Sequence, residues 1–139
     1  MHMRQAISLA LCFCLGMAAY PSLEAASYDG STPLLCAVTE VFDCQAGGDC
    51  QHGTAESVNL PQFVKVNFAE KTLSTPEEGA SKRITPITHV ERVEGNIILQ
   101  GIEGSRAWSI VIASETGKIS ATVSDRQVGF VVFGACIAF

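Results

Sequence analysis

Residues 84–123 read ITPITHVERVEGNIILQGIEGSRAWSIVIASETGKISATV, and the spacing of their turns predicts the fold class. Three short sequences in this stretch combine an acidic residue with a glycine: Glu94-Gly95, Glu103-Gly104 and Glu115-Thr116-Gly117. Such sequences are typical of hairpin turns, because glycine readily adopts the positive φ angles that tight turns require. The residues between the turns are mostly apolar or β-branched, so the stretch predicts an antiparallel meander.

Further strand-like runs lie on both sides of this meander. Leu34–Cys44 and Phe63–Phe68 precede it, with a short return at Thr72-Leu73, and Val128–Phe139 follows it. No window of the sequence holds a sustained helical period. We therefore expect an all-β domain, an antiparallel meander of about seven or eight strands that forms a small barrel or a sandwich.

Alternation along the strands predicts which side chains face the core. Trp108 and Ile110 share one side of their strand, and we expect that side to be buried. Arg106 has the same parity as Trp108, so we expect it at the strand mouth. Glu40 has the parity of Cys36, which leaves several alternatives: its carboxylate points into the interior, a twist or a bulge turns it outward, or this face is not the core face.

The last strand is apolar on both faces, which is typical of a strand that is covered on both sides. One set of side chains must fill the core, and the other needs cover from the chain, a ligand or a partner. We expect the irregular segment Gln51–Gln62 to lie across the outer side of this strand. If it does not, the aromatic residues of the strand form an interface, and its candidates are Phe130, Phe133 and Phe139.

Residues 1–25 predict a secretory signal peptide. A basic residue precedes the uncharged run Ala6–Tyr20, which is too short to cross a hydrocarbon core of roughly 30 Å. We expect cleavage after Ala25, with cleavage after Ala18 as the alternative. One β domain, residues 26–139, then remains, and its predicted location is periplasmic or secreted.

Four cysteines remain in that domain, and an even number in a small exported protein predicts two disulfides. Cys36 and Cys44 lie in one strand-like run, so they would be about 27 Å apart, far beyond the roughly 7 Å that a disulfide spans. Cys44 and Cys50 flank Gln-Ala-Gly-Gly-Asp, which permits a tight reversal. We therefore predict a local Cys44–Cys50 bond, and a Cys36–Cys136 bond between the first and last strands.

The same cysteine-rich segment has an alternative use as a metal site. Cys44, Cys50 and His52 carry ligand-type side chains, but their spacing matches no standard zinc motif. An oxidising compartment also favours disulfides over thiolate ligands. We therefore predict no metal site.

Charge and motifs favour a non-enzymatic protein. The chain carries a net charge of −5, which gives no attraction to a phosphate backbone, so we expect no nucleic-acid partner. The sequence after residue 25 contains no apolar run long enough for a membrane span. It also lacks the Gly-x-Ser-x-Gly motif and any other catalytic constellation, so we predict no catalytic residues and no cofactor.

Three stretches, Leu35–Cys44, Asn59–Phe63 and Gly129–Cys136, resemble small exported proteins of proteobacterial genomes that have no assigned activity. This resemblance covers nearly the whole domain and implies a periplasmic location without a mechanism. In size, location and architecture the chain is also similar to the periplasmic inhibitors of C-type lysozyme, an analogy at the level of the fold.

Two functional hypotheses follow from the sequence. The first is a binding module that holds a protein or a small apolar ligand at one mouth or face of the domain. The alternative is an accessory subunit of a cell-envelope complex, docked through its apolar C-terminal strand. An apolar cavity would favour the first hypothesis, and a large exposed apolar patch would favour the second.

Overall fold

The computed structural model describes residues 27–77, 79 and 82–139. The predicted signal peptide, residues 1–25, lies outside these residues. Within them the chain forms nine β-strands and one short 3₁₀ turn. The strands are β1 (Leu34–Gln45), β2 (Gln51–Gly53), β3 (Phe63–Asn67), β4 (Thr72–Ser74), β5 (Ile84–Val93), β6 (Asn96–Glu103), β7 (Arg106–Ala113), β8 (Lys118–Ser124) and β9 (Val128–Ala138), and the 3₁₀ turn spans Glu56–Val58.

Eight of these strands close into an antiparallel barrel. β1 pairs with β3, each strand from β3 onward pairs with the next along the chain, and β9 returns to pair with β1. Closure removes the exposed edges that an open sheet would present. The predicted all-β meander is therefore confirmed, and of the two architectures that the sequence left open, the structure is the barrel.

β1 changes its partner along one side. Its first part pairs with β3 through Leu34–Ala37, and its second part pairs with β2 through Val41–Asp43. The sequence analysis did not predict β2. A bulge between Val38 and Glu40 shifts the register of β1 on β9, and Glu40 is exposed. The bulge alternative is therefore confirmed, because one extra residue reverses the alternation of side chains beyond it.

Both predicted disulfides are present. Cys36 and Cys136 lie directly opposite each other on β1 and β9, and both are buried inside the barrel. Cys44, near the end of β1, is bonded to Cys50, just before β2. If the bonds act by restricting the unfolded chain, the first, with a sequence separation of 100 residues, contributes about 4–5 kcal/mol of stability and the second about half of that.

Side chains from all parts of the barrel wall fill one end of its interior. The most completely buried residues of this region are Leu34, Val66, Ile97, Leu99 and Ile112. Each fully buried aliphatic side chain contributes about 1.5–3 kcal/mol relative to exposure, so this end is the stable base of the domain. Trp108 also points inward, as its parity predicts.

The segment that precedes β1 covers this filled end, which we call the base. Tyr28 packs against the core there, and its backbone N–H donates a hydrogen bond to the carbonyl of Ser114 in the β7–β8 turn. Arg92 at the end of β5 donates from Nε to the carbonyl of Asp29 at 3.2 Å. The base of the barrel is therefore closed by the chain itself.

The first residues of the segment Gln51–Gln62 form β2, which pairs with β1, and the residues after β2 lie on the inward side of the β1–β9 pair. Its buried residues Ala55 and Val58 pack against Val41, Phe130 and Val132, which are inward-facing side chains of β1 and β9. The expectation that this segment covers the outer side of the last strand is therefore wrong. These residues pack inward because the apolar inner face of the β1–β9 pair, which the opposite barrel wall does not fill, would otherwise be exposed to water.

Candidate ligand-binding site

A cavity of about 410 Å³ occupies the barrel interior above the filled base. Its inner wall consists of apolar and small side chains from most of the barrel strands. They are Cys36, Val38, Val64, Val66, Leu73, Thr75, Thr85, Trp108, Ile110, Ile119, Ala121, Val123 and Val132. Its volume lies within the range of roughly 300–1,000 Å³ that is usual for sites of small molecules.

Side-chain size explains why this part of the barrel is open while the base is filled. Ala121 on β8 lies between Ile110 and Val132 in the sheet and points inward with a single methyl group. On β6, Gly101 has no side chain, and a Cβ there would lie 2.2 Å from Cζ2 of Trp108. The indole of Trp108 therefore packs closely against β6 at Gly101, where a larger residue would displace it.

The entrance to the cavity, which we call the mouth, lies at the end opposite to the base. Three structures surround it: the β6–β7 turn, the start of β5 with the end of β4, and the stretch that leads from the 3₁₀ turn into β3. Its residues are Asn59, Leu60, Pro61, Ser74, Arg83, Glu103, Gly104, Ser105 and Arg106. The mouth is thus polar and charged, whereas the wall behind it is apolar.

Two arginines at the mouth each lie near a carboxylate without a close hydrogen bond to it. Nε of Arg83 is 3.7 Å from Oε1 of Glu103, and Nε of Arg106 is 3.7 Å from Oδ2 of Asp125. Both distances exceed normal hydrogen-bond lengths. All four side chains remain partly exposed, and such pairs contribute at most about 1 kcal/mol to stability.

Asp125 is held in place mainly by backbone groups. Its Oδ1 accepts hydrogen bonds from the backbone N–H groups of Gln127 at 2.8 Å and Val128 at 3.0 Å. These two bonds, followed by the charge of Arg106, lower the pKa of the Asp125 carboxyl below its ordinary value. Asp125 thereby shapes the β8–β9 turn and leaves Oδ2 facing Arg106.

Trp108 lies in the cavity wall and also provides an intrinsic fluorescence signal. It is the single tryptophan of the chain, and it is 7% exposed. Its Nε1 is buried and has no hydrogen-bond partner among the residues that the structure describes. The fluorescence of the protein therefore reports on this cavity.

The sequence analysis identified part of this site. Arg106 lies at the mouth, as its parity predicts, and Trp108 and Ile110 line the wall. Arg83 and Glu103 were not identified, because each lies at the end of a strand-like run and is far from the other in sequence. The register of β5, β6 and β7 brings them together, and no local signal marks them as neighbours.

The three residues predicted as a possible interface fall on opposite faces of β9. Phe133 and Phe139 are on the outside and are 40% and 57% exposed. Phe130 is 5% exposed and points inward, where its ring lies 5.4 Å from the Arg106 guanidinium. Phe130 therefore belongs to the interior and not to an outer surface, because side chains alternate along a strand and its position differs from Phe133 by an odd number.

The alternative metal site is replaced by a disulfide. Cys44 and Cys50 are bonded to each other, so neither sulfur is a thiolate that could bind a metal. His52 on β2 lies on the outer side of the barrel instead, with its ring edge-on to Phe42 at 5.4 Å between centroids. Phe42 in turn contacts Phe133 in the same edge-on manner.

Within the described part of the chain, no helix is long and apolar enough to cross a membrane. The two disulfides are consistent with an oxidising extracellular environment. Comparison of the chain with protein-family models, with curated proteins and with solved structures finds no match.

Proposed function

We propose that this protein is a non-enzymatic binding protein that holds a small apolar ligand inside its barrel. The observation that carries the proposal is the apolar cavity of about 410 Å³, open at one end and closed by the protein itself at the other. A cavity of this kind normally costs stability, because its wall lacks contacts that a filled core would have. A ligand that fills it restores those contacts, so binding is favourable.

The chemistry of the wall supports an apolar ligand. Its aliphatic and aromatic groups offer dispersion contacts and gain from exclusion of water, at about 25 cal/mol per Å² of apolar surface removed from water. The barrel and its disulfides hold these groups in place before a ligand arrives, which reduces the entropy cost of binding. Catalysis is not part of the proposal, since the wall residues are hydrocarbon side chains, one indole, a disulfide and two threonines.

We further propose that the protein acts in the periplasm or outside the cell. The predicted signal peptide and the two disulfides support this location, because disulfides persist in oxidising compartments. An apolar compound that crosses such a compartment needs shielding from water, and a closed barrel with one mouth provides it.

The cavity proposal predicts that neutral apolar compounds of suitable size bind inside the barrel. Titration of the mature protein with 1-decanol and with naphthalene should change the emission of Trp108 in a saturable way. Ala121→Phe, which fills the lumen, should lower the affinity at least about tenfold, because the ring occupies the space of the ligand.

Ala107→Phe is the matched control, since Ala107 lies on the exposed outer side of β7. It should bind as the wild type does, and circular dichroism should show that both variants fold. If neither compound binds to the wild type, or if the two variants lose affinity equally, the proposed function is wrong.

A second candidate function rests on a separate observation, an exposed apolar area on the outside of β3 and β9. Phe63, Phe133, Ile137 and Phe139 are 40–59% exposed there, and we call them the outer apolar patch. Exposed apolar groups in one area favour contact with another protein. This patch supports the accessory-subunit hypothesis, in which the domain docks through the outer side of its last strand.

A further inference from the structure

We infer that the ligand is an amphipathic anion, a compound with an apolar body and one terminal acid group that the arginines of the mouth bind. This inference rests on the proposed function and adds the chemical class and the orientation of the ligand. The apolar body would lie along Trp108 and Ile110, and the acid group would face Arg83 and Arg106.

The inner wall offers few partners to a polar body. Among the described residues, the buried polar side chains are Thr75 and Thr85, and the wall adds one unpaired donor, the indole N–H of Trp108. The hydroxyl oxygen of Thr75 already accepts a hydrogen bond from the backbone N–H of Arg83 at 3.0 Å. A polar group placed deep in the cavity would lose its bonds to water and find few replacements, which is unfavourable. A charged group of the ligand therefore belongs at the mouth, where the two arginines lie.

The charges that line the mouth favour an anion there. Arg83 and Arg106 line the cavity as cations, against one carboxylate, that of Glu103. Glu77 and Asp125 also interact with these arginines, but neither of them lines the cavity. Among the residues that line the cavity itself, two positive charges thus face one negative charge, in a protein whose net charge is −5.

The guanidinium group of Arg83 also has an unused donor. Nε of Arg83 is buried without a hydrogen bond within the described residues, and it lies 3.7 Å from Oε1 of Glu103. The Nη1 of Arg83 makes only a long contact, 3.4 Å, to the carbonyl of Asn59. A buried donor without an acceptor is unfavourable, and a ligand carboxylate would supply that acceptor in a geometry that guanidinium groups favour.

The cavity volume sets the size of the apolar body. At the roughly 30 Å³ that one water molecule occupies in the liquid, 410 Å³ holds about a dozen non-hydrogen atoms. Decanoate, with a ten-carbon chain and a carboxylate, is a probe of that size. Decanol and decylammonium match it in length and replace the anion by a neutral and by a cationic group.

The experiment compares these three probes below their aggregation concentrations, by Trp108 fluorescence and by calorimetry. Decanoate should bind about tenfold more tightly than decanol, the gain expected of one charge-assisted hydrogen bond, and more tightly still than decylammonium. Arg83→Gln and Arg106→Gln should each remove most of that gain and leave the affinity for decanol unchanged. Glu103→Gln should act in the opposite direction and tighten decanoate binding, because it removes a competing carboxylate.

Arg126→Gln is the control for general charge, since Arg126 is an exposed arginine of the β8–β9 turn outside the lining. It should leave decanoate binding unchanged. Equal affinities for decanoate and decanol, tighter binding of decylammonium, or an equal loss in Arg106→Gln and Arg126→Gln would each overturn the anion inference while the apolar-ligand function stands. Absence of binding by all three probes would overturn both.

Discussion

Single residues determine whether the interior of this barrel is filled or open. An inward methyl group at Ala121 leaves space in the lumen, and the missing side chain at Gly101 lets Trp108 pack closely against β6, whereas larger residues fill the base. The carboxylate of Asp125, just outside the cavity lining, has a different role. It binds two backbone N–H groups of the β8–β9 turn and lies beside Arg106. Its effect on stability should therefore depend on pH.

We predict that Asp125→Ala destabilises the domain at neutral pH and loses this effect in acid. The pKa of Asp125 is lowered from 3.8 by its backbone hydrogen bonds, so the folded state favours the ionised form more than the unfolded state does. The contribution is then present above the unfolded pKa and is lost as the pH falls through the lower folded pKa. Thermal unfolding of both proteins between pH 7 and 2 measures it. A difference in melting temperature that grows toward acid pH would contradict this account.

At the scale of elements, β9 contributes side chains both to the barrel interior and to its outer surface. Its inward side supplies Phe130 and Val132 to the interior, and its outward side supplies Phe133 and Ile137 to the outer apolar patch. β1 and β9 remain paired from end to end across a bulge, which lets the second half of β1 accept β2 as a further partner. The 3₁₀ turn that follows β2 then covers the inner side of this long pair.

We predict opposite results for two serine substitutions on β9. Phe133→Ser should weaken self-association or partner binding and leave the fold intact, because Phe133 is 40% exposed on the outer patch. Phe130→Ser should destabilise the domain by about 3–5 kcal/mol, because Phe130 is buried and the substitution leaves a cavity with a polar group in it.

Analytical ultracentrifugation and urea denaturation of both variants beside the wild type test this pair of outcomes. A wild type that stays monomeric at high concentration and retains no protein partner from an extract of its own cells would contradict the interface, whatever the stability of the variants.

At the scale of the whole molecule, closure of the barrel depends on pairing between its first strand, β1, and its last strand, β9. β1 and β9 pair along their full length, and the buried Cys36–Cys136 bond joins them close to the base. The closed base and the open mouth then give the molecule two different ends. One is filled by packed side chains, and the other opens into the cavity.

We predict that the two disulfides differ in their effect on stability. Replacing Cys36 and Cys136 together by Ala should cost about 4–5 kcal/mol, because it frees a long loop in the unfolded chain, and somewhat more for the lost packing of buried sulfur. Replacing Cys44 and Cys50 by Ser should cost about half as much. Urea denaturation gives both values, and a larger loss from the local bond would show that the loop-length argument does not apply here.

The sequence by itself determined the all-β class, most strand positions, the disulfide pairing and the inward side of Trp108. These features depend on local signals: turn residues, alternation of period two, and the reach of a cysteine side chain. The bulge at Glu40 was one of the alternatives that side-chain parity left open, and parity alone did not choose between them.

Only the tertiary structure decided between barrel and sandwich, placed Ala55 and Val58 inside instead of outside, and brought Arg83 next to Glu103. Those outcomes depend on the relative lengths of neighbouring strands and on the order in which the strands pair around the barrel. A cavity is likewise a property of the space between side chains of distant segments. Sequence patterns report the direction in which a side chain points, but the volume left between facing side chains is set only when the barrel closes.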